Sequence, residues 1–104
     1  MNDVIFIETA RKFAERMLLE GAADPLEYGF RLALVRTPNA AEKAVLTETL
    51  DRFRKRYAAD PKAALEFVSQ GDAPRNPKFA PEELAPYAAV ASLILNLDEL
   101  VTKE

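Results

Sequence analysis

The 104-residue chain contains no cysteine and no histidine. Without cysteine it has no disulfide, no thiolate nucleophile and no cysteine-ligated metal. Without histidine it lacks the commonest general base and the commonest metal ligand. Catalysis by this chain would therefore depend on carboxylates, lysine, hydroxyl groups or tyrosine.

Glycine is also scarce, with three residues, whereas alanine, leucine, glutamate, lysine and arginine dominate the composition. This bias favours helices, because those five residue types have the highest intrinsic helix propensities. The length fits one domain, so residues 1–104 are interpreted as a single helical domain. The formal net charge of −3 gives nucleic acid no overall attraction, and we expect no nucleic-acid partner.

The longest apolar run, from Tyr87 to Leu97, has only Ser92 and Asn96 as clearly polar members. A helix that is apolar almost all round is typical of one buried among others. The run is too short to cross a bilayer, which needs roughly 20 apolar residues. We expect a core helix from about Pro81 to Val101, and no membrane span.

Capping residues mark the starts of four earlier helices, because their side chains accept hydrogen bonds from unpaired amides at a helix N-terminus. These starts are Asn2-Asp3, Asp24-Pro25, Asn39-Ala-Ala-Glu42 and Asp60-Pro61. The segment 71–81 holds three prolines and is predicted to be irregular, with Phe79 as its anchor on the core. The prediction is an all-α fold, a compact bundle of about five helices with a buried C-terminal helix and one Pro-rich loop.

The first helix is amphipathic, and the second contains a glycine within its helical pattern. In the first helix, apolar residues recur at three- and four-residue steps, and charged residues fill the opposite face. The charged set is Glu8, Arg11, Lys12, Glu15, Arg16 and Glu20. In the second helix, Gly29 costs roughly 1 kcal/mol against alanine, and predicts the close approach of another helix.

Three stretches have the order and spacing of motifs in a known family. They are Asn2-Asp-Val-Ile-Phe-Ile-Glu8, Phe30-Arg-Leu-Ala-Leu-Val-Arg-Thr-Pro38 and Leu95-Asn-Leu-Asp-Glu-Leu-Val-Thr-Lys-Glu104. The segment 71–77 adds a Gly-x-x-Pro-Arg-x-Pro spacing. Together they resemble the C-terminal domain of unknown function in large planctomycete-type, cytochrome-c-associated proteins. Three positions depart from the family pattern: Val35 replaces a glycine, Pro86 an alanine and Leu100 a phenylalanine.

The resemblance implies that this chain is the C-terminal fragment of a larger multidomain protein that is exported to the periplasm or cell surface. Members of that family often carry a c-type haem region far upstream. This chain has no Cys-x-x-Cys-His motif, so no haem and no other cofactor is carried over to it. The implied partners are upstream domains of the same polypeptide, with other proteins as further candidates.

The one suggestive polar cluster lies where the apolar helix meets polar sequence, at Asn96, Asp98 and Glu99. Carboxylates there would suit general acid–base chemistry or a hard cation. Adjacent residues on a helix diverge by about 100°, so a site would need partners from elsewhere, such as Asp3 or Glu8. The alternative is structural: the acids pair with arginines such as Arg31 or Arg36.

A second candidate is the basic run at Arg52, Arg54, Lys55 and Arg56, after a turn that resembles a helix-turn-helix. DNA binding would need base-reading side chains early in the third helix, where Ala40, Ala41 and Ala44 offer little. The run instead lies where cations complement a helix C-terminus.

The favoured function is a non-catalytic structural or interaction module, with no enzyme activity expected of this fragment alone. The alternative function is one wall of an active site or ligand site that upstream residues complete around Asp98.

Overall fold

The computed structural model describes residues 3–103, and of 99–103 it describes the helical backbone alone. These residues form five α-helices and no strand, which confirms the predicted all-α bundle. The helices are α1 Val4–Glu20, α2 Pro25–Leu34, α3 Ala40–Ala59, α4 Pro61–Val68 and α5 Pro81–Lys103. Within this part of the chain, no helix is both long and apolar enough to cross a membrane.

The predicted caps close the N-termini of the first four helices. Asp3 accepts from the Ile5 amide at 2.9 Å, and Asp60 accepts from the Ala63 amide at 3.1 Å. Such bonds satisfy amides that have no partner within the helix. The remaining two caps, Asp24 and Asn39, accept from Glu27 and Glu42.

Helix α5 is the centre of the core, as its apolar run predicts. It contacts each of the other four helices. Its first half is enclosed, with Leu84, Val90 and Ala91 fully buried. From Ser92 onwards most side chains are only partly buried, so this half leaves apolar surface within reach of solvent.

Arg11 belongs to the charged face of α1 that the helical periodicity predicts, yet its side chain is only 1% exposed. The Pro-rich segment crosses this face, and its backbone carbonyls lack helical partners. Arg11 donates to the carbonyl oxygens of Ala73 at 2.7 Å and Pro74 at 3.2 Å, and to Glu15 at 3.1 Å. The guanidinium therefore serves as an internal donor for an irregular segment rather than as a surface charge.

Two carboxylates of α1 complete this attachment. Glu8 accepts from the Ala73 amide at 2.5 Å, and Glu15 accepts from the Asn76 amide at 2.9 Å. Gly71 has a φ of +94°, and a Cβ there would lie 2.5 Å from the Glu8 carboxyl carbon. Phe79 is buried, which confirms its role as the anchor of the segment. The loop is thus held by backbone-directed polar contacts at one end and by apolar burial at the other.

Helices α1 and α2 meet closely at Gly29, as its place in a helical pattern predicts. A Cβ on Gly29 would lie 2.7–2.9 Å from three side-chain atoms of Met17. Met17 is fully buried, so its side chain has little room to move away.

Candidate functional site

The structure describes the side chains of three of the four residues in the predicted polar site. Asp3 caps α1 through its carboxylate. Asn96 and Asp98 lie partly buried near the end of α5, while the Glu99 side chain falls outside the described residues. Among the described residues, no group of three or more acidic side chains is arranged to hold a metal ion. A site formed by these four residues stays a prediction.

Two concave surfaces flank the connection between α2 and α3. The first, which we call the basic cleft, has a volume of about 410 Å³ and is lined by Tyr28, Arg31, Leu32, Val35, Arg36 and Thr37. The second, the apolar groove, measures about 300 Å³ and is lined by Phe30, Ala41, Glu42, Val45, Leu46, Leu93 and Leu97. The groove lies among three helices, α2, α3 and α5. Sequence reasoning predicted neither surface.

Val35 ends α2 in the left-handed conformation, with φ 58° and ψ 32°. Its amide donates to the Arg31 carbonyl oxygen at 2.9 Å, a common way to close a helix. Glycine normally occupies this position, because a β-branched side chain at positive φ crowds its own backbone. The Val35 side chain is 88% exposed, so burial in the core does not offset that strain.

Arg36 and Glu42 form a fixed pair between the two surfaces. The guanidinium donates two hydrogen bonds of 2.8 Å to the carboxylate and lies 5.0 Å from the centre of the Phe30 ring. Glu42 also accepts from the Asn39 amide at 2.9 Å, which completes a capping box. Arg36 and the Asn39 amide together lower the pKa of Glu42 to about 2.

Replacing Arg36 with glutamine should raise the pKa of Glu42 towards its ordinary 4.5, because the variant loses the cation but keeps the Asn39 amide. A carboxyl carbon NMR titration measures this pKa directly. A pKa lowered by folding contributes stability above about pH 4.5, and the contribution is lost as the pH falls towards 2. The R36Q protein should therefore depend less on pH in this window. As a control, R52Q should leave the pKa of Glu42 near 2; an unchanged value in R36Q would contradict the assignment.

Arg31 gives the basic cleft its available positive charge. It is exposed in the last turn of α2, and no carboxylate among the described side chains forms a salt bridge with it. By contrast, nearby Lys43 bridges Asp24 at 2.6 Å and Glu27 at 3.5 Å. Arg36, one of the arginines predicted to pair with the C-terminal acids, is bound by Glu42, and the pairing of those acids with an arginine stays a prediction.

The predicted basic run on α3 is partly engaged within the fold. Arg54 lies 5.5 Å from the centre of the Tyr87 ring and donates to the Tyr87 hydroxyl at 3.1 Å. This contact ties α3 to α5. The expectation that the run does not bind nucleic acid stays a prediction.

Comparison with protein families, with curated proteins and with solved structures finds no match. The family resemblance therefore remains an expectation, and the case for function depends on the residues themselves.

Proposed function

We propose that the chain is the C-terminal helical module of a larger exported protein of the planctomycete-type, cytochrome-c-associated class, and that it serves structure or interaction rather than chemistry. The observation that supports this most is the backbone at Val35. That family has a glycine in the Phe-Arg…Arg-x-Pro turn, and this chain has a left-handed residue at the same place. Val35 thus has the left-handed backbone conformation that a glycine would adopt easily at this position. This turn geometry fits a common ancestry of the fold.

The contact between two resembling stretches adds support. Glu8, at the end of the first stretch, binds the Ala73 amide within the Gly-x-x-Pro-Arg-x-Pro segment. Gly71, which opens that segment, has a positive φ and no room for a side chain beside Glu8. The backbone conformation thus requires glycine at position 71, and the Gly-x-x-Pro-Arg-x-Pro segment serves to pack the loop against α1. A packing role for such a motif suits a structural module.

The test of the proposed parent protein is the complete coding region together with the location of its product. We expect an upstream extension that encodes the rest of the domain and an export signal, and a product in the periplasmic or cell-surface fraction. A product confined to the cytoplasm, or a coding region that lacks any upstream domain, would contradict the proposal.

The non-catalytic role is tested separately by thermal unfolding of the purified chain with divalent cations and with a panel of small metabolites. We expect no change in melting temperature. A clear rise with Mg²⁺ or Ca²⁺ that disappears in D98N would contradict the proposal and favour the site wall formed around Asp98.

A further inference from the structure

We propose that the basic cleft and the apolar groove form one docking surface for an acidic segment with an aliphatic anchor residue, supplied by the upstream part of the same polypeptide. The docking surface is defined by Arg31, Leu32, Val35, Arg36, Val45 and Leu93. This inference rests on the proposed function, because it names the surface through which the module would join its parent protein.

Charge complementarity selects an acidic partner. In a chain of net charge −3, this surface presents two guanidinium groups, of which that of Arg36 is already paired with Glu42. Arg36 is oriented by Glu42 and Phe30, and Arg31 has no salt bridge to a described carboxylate. Arginine binds carboxylates through paired N–H donors, which gives direction as well as attraction. A carboxylate on the partner would therefore find a donor that the fold itself leaves available.

The apolar part of the surface calls for an aliphatic anchor. Leu32, Val35 and Val45 are all exposed, and the groove beside Val45 is lined almost entirely by carbon. At about 300 Å³ the groove has room for one large aliphatic or aromatic side chain. Exposed apolar side chains that adjoin a groove mark interaction sites more often than single scattered ones do.

The backbone at Val35 points the same way. Glycine or asparagine would close α2 with less strain. Strained residues persist where the surroundings enforce them, and they cluster at functional sites. Val35 contributes almost nothing to the core, because its side chain is exposed. A partner that covers this side chain would give it a packing role.

The experiment titrates the ¹⁵N-labelled chain with a synthetic peptide that carries one leucine flanked by glutamates. The control is the same peptide with lysine in place of each glutamate. We expect amide shifts at residues 31–37 and 41–46, and binding of the acidic peptide about tenfold tighter than that of the basic one, as one charged hydrogen bond implies. Added salt should weaken the binding.

Two variants separate docking from stability. V35N should raise the melting temperature, by about 5 °C, since asparagine tolerates the left-handed conformation, and yet weaken peptide binding several-fold. R31E should reverse the preference towards the basic peptide. The matched controls L65N and R52E change residues of the same kind outside both surfaces, and both should bind the acidic peptide like the unaltered chain.

Equal binding of the two peptides, or no shift at residues 31–37, would overturn the docking surface and leave the parent-protein proposal standing. Self-association of the chain that V35N abolishes would also overturn it, because the occupant would then be a second copy. An upstream coding region without any acidic, leucine-containing segment would overturn the assigned source.

Discussion

Replacing Arg11 with methionine is expected to lower the free energy of unfolding by about 3 kcal/mol, the range seen when one partner of a buried charged network is removed. Methionine retains much of the aliphatic stem, so the lost quantity is mainly hydrogen bonding. The carbonyl oxygens of Ala73 and Pro74 would lose their donor, and Glu15 would lose its cation. Urea unfolding measures the difference.

The matched control for this substitution lies on the same helix. Arg16 forms an exposed i,i+4 pair with Glu20, with an N–O distance of 3.0 Å. Solvent screens exposed pairs of this kind, so they add little to stability and R16M should cost far less than R11M. Equal losses in the two variants would show that the attachment of the Pro-rich segment adds nothing to stability.

Hydrogen exchange separates loss of the loop from general unfolding. The amides of Ala73 and Asn76 donate to Glu8 and Glu15, so they should be protected in the unaltered chain. In R11M these two amides should exchange much faster, while the core of α5 around Ile94 retains most of its protection. In R11K the exchange rates of these two amides should lie between those of the unaltered chain and those of R11M. The reason is that an ammonium group lacks the planar fork that reaches two carbonyls at once.

Arg11 shows where prediction from the sequence stops. Helical periodicity places Arg11 on the charged face of α1, and the same rule correctly places Met17 and Ala14 in the core. Periodicity describes one helix in isolation. The two carbonyl groups that Arg11 binds lie 62 and 63 residues away. The sequence of the segment that supplies them does not indicate which helix face the segment covers.

The local elements were predictable because their causes are local. Asp24, Asn39 and Asp60 cap helices through bonds to amides three residues on, and such short-range chemistry can be read from spacing. The α5 core followed from the almost unbroken apolar sequence between Tyr87 and Leu97.

The candidate site was not predictable for a related reason. Both concave surfaces are formed by residues from two or three elements, and their shape depends on how α2 turns into α3. Val35 carried one signal, since a valine stands where the resembling family has glycine. That signal implies an unusual turn but does not say that the side chain is exposed. The pairing of Arg36 with Glu42 spans six residues across a turn, beyond any helical spacing rule.

Replacing Gly29 with leucine is expected to destabilise the chain by about 3 kcal/mol, despite the higher helix propensity of leucine. The new side chain would occupy the space of Met17, whose atoms lie 2.7–2.9 Å from the position of a Cβ. For a domain of this size the melting temperature should fall by about 15 °C. An unchanged melting temperature would contradict the close contact between α1 and α2.

A double-mutant cycle tests whether the cost arises at Met17. If leucine at position 29 fails because it collides with this side chain, M17A in the G29L background should be much less harmful than M17A alone, which leaves a cavity. The two substitutions would then show a coupling of at least about 1 kcal/mol, as residues in direct contact do. Additive losses would instead locate the strain elsewhere on α2. The contact between Gly29 and Met17 fixes how closely α2 lies on α1, and α2 carries both Arg31 and the strained turn at Val35. A large coupling would therefore show that this one contact sets the position of the helix that carries both residues.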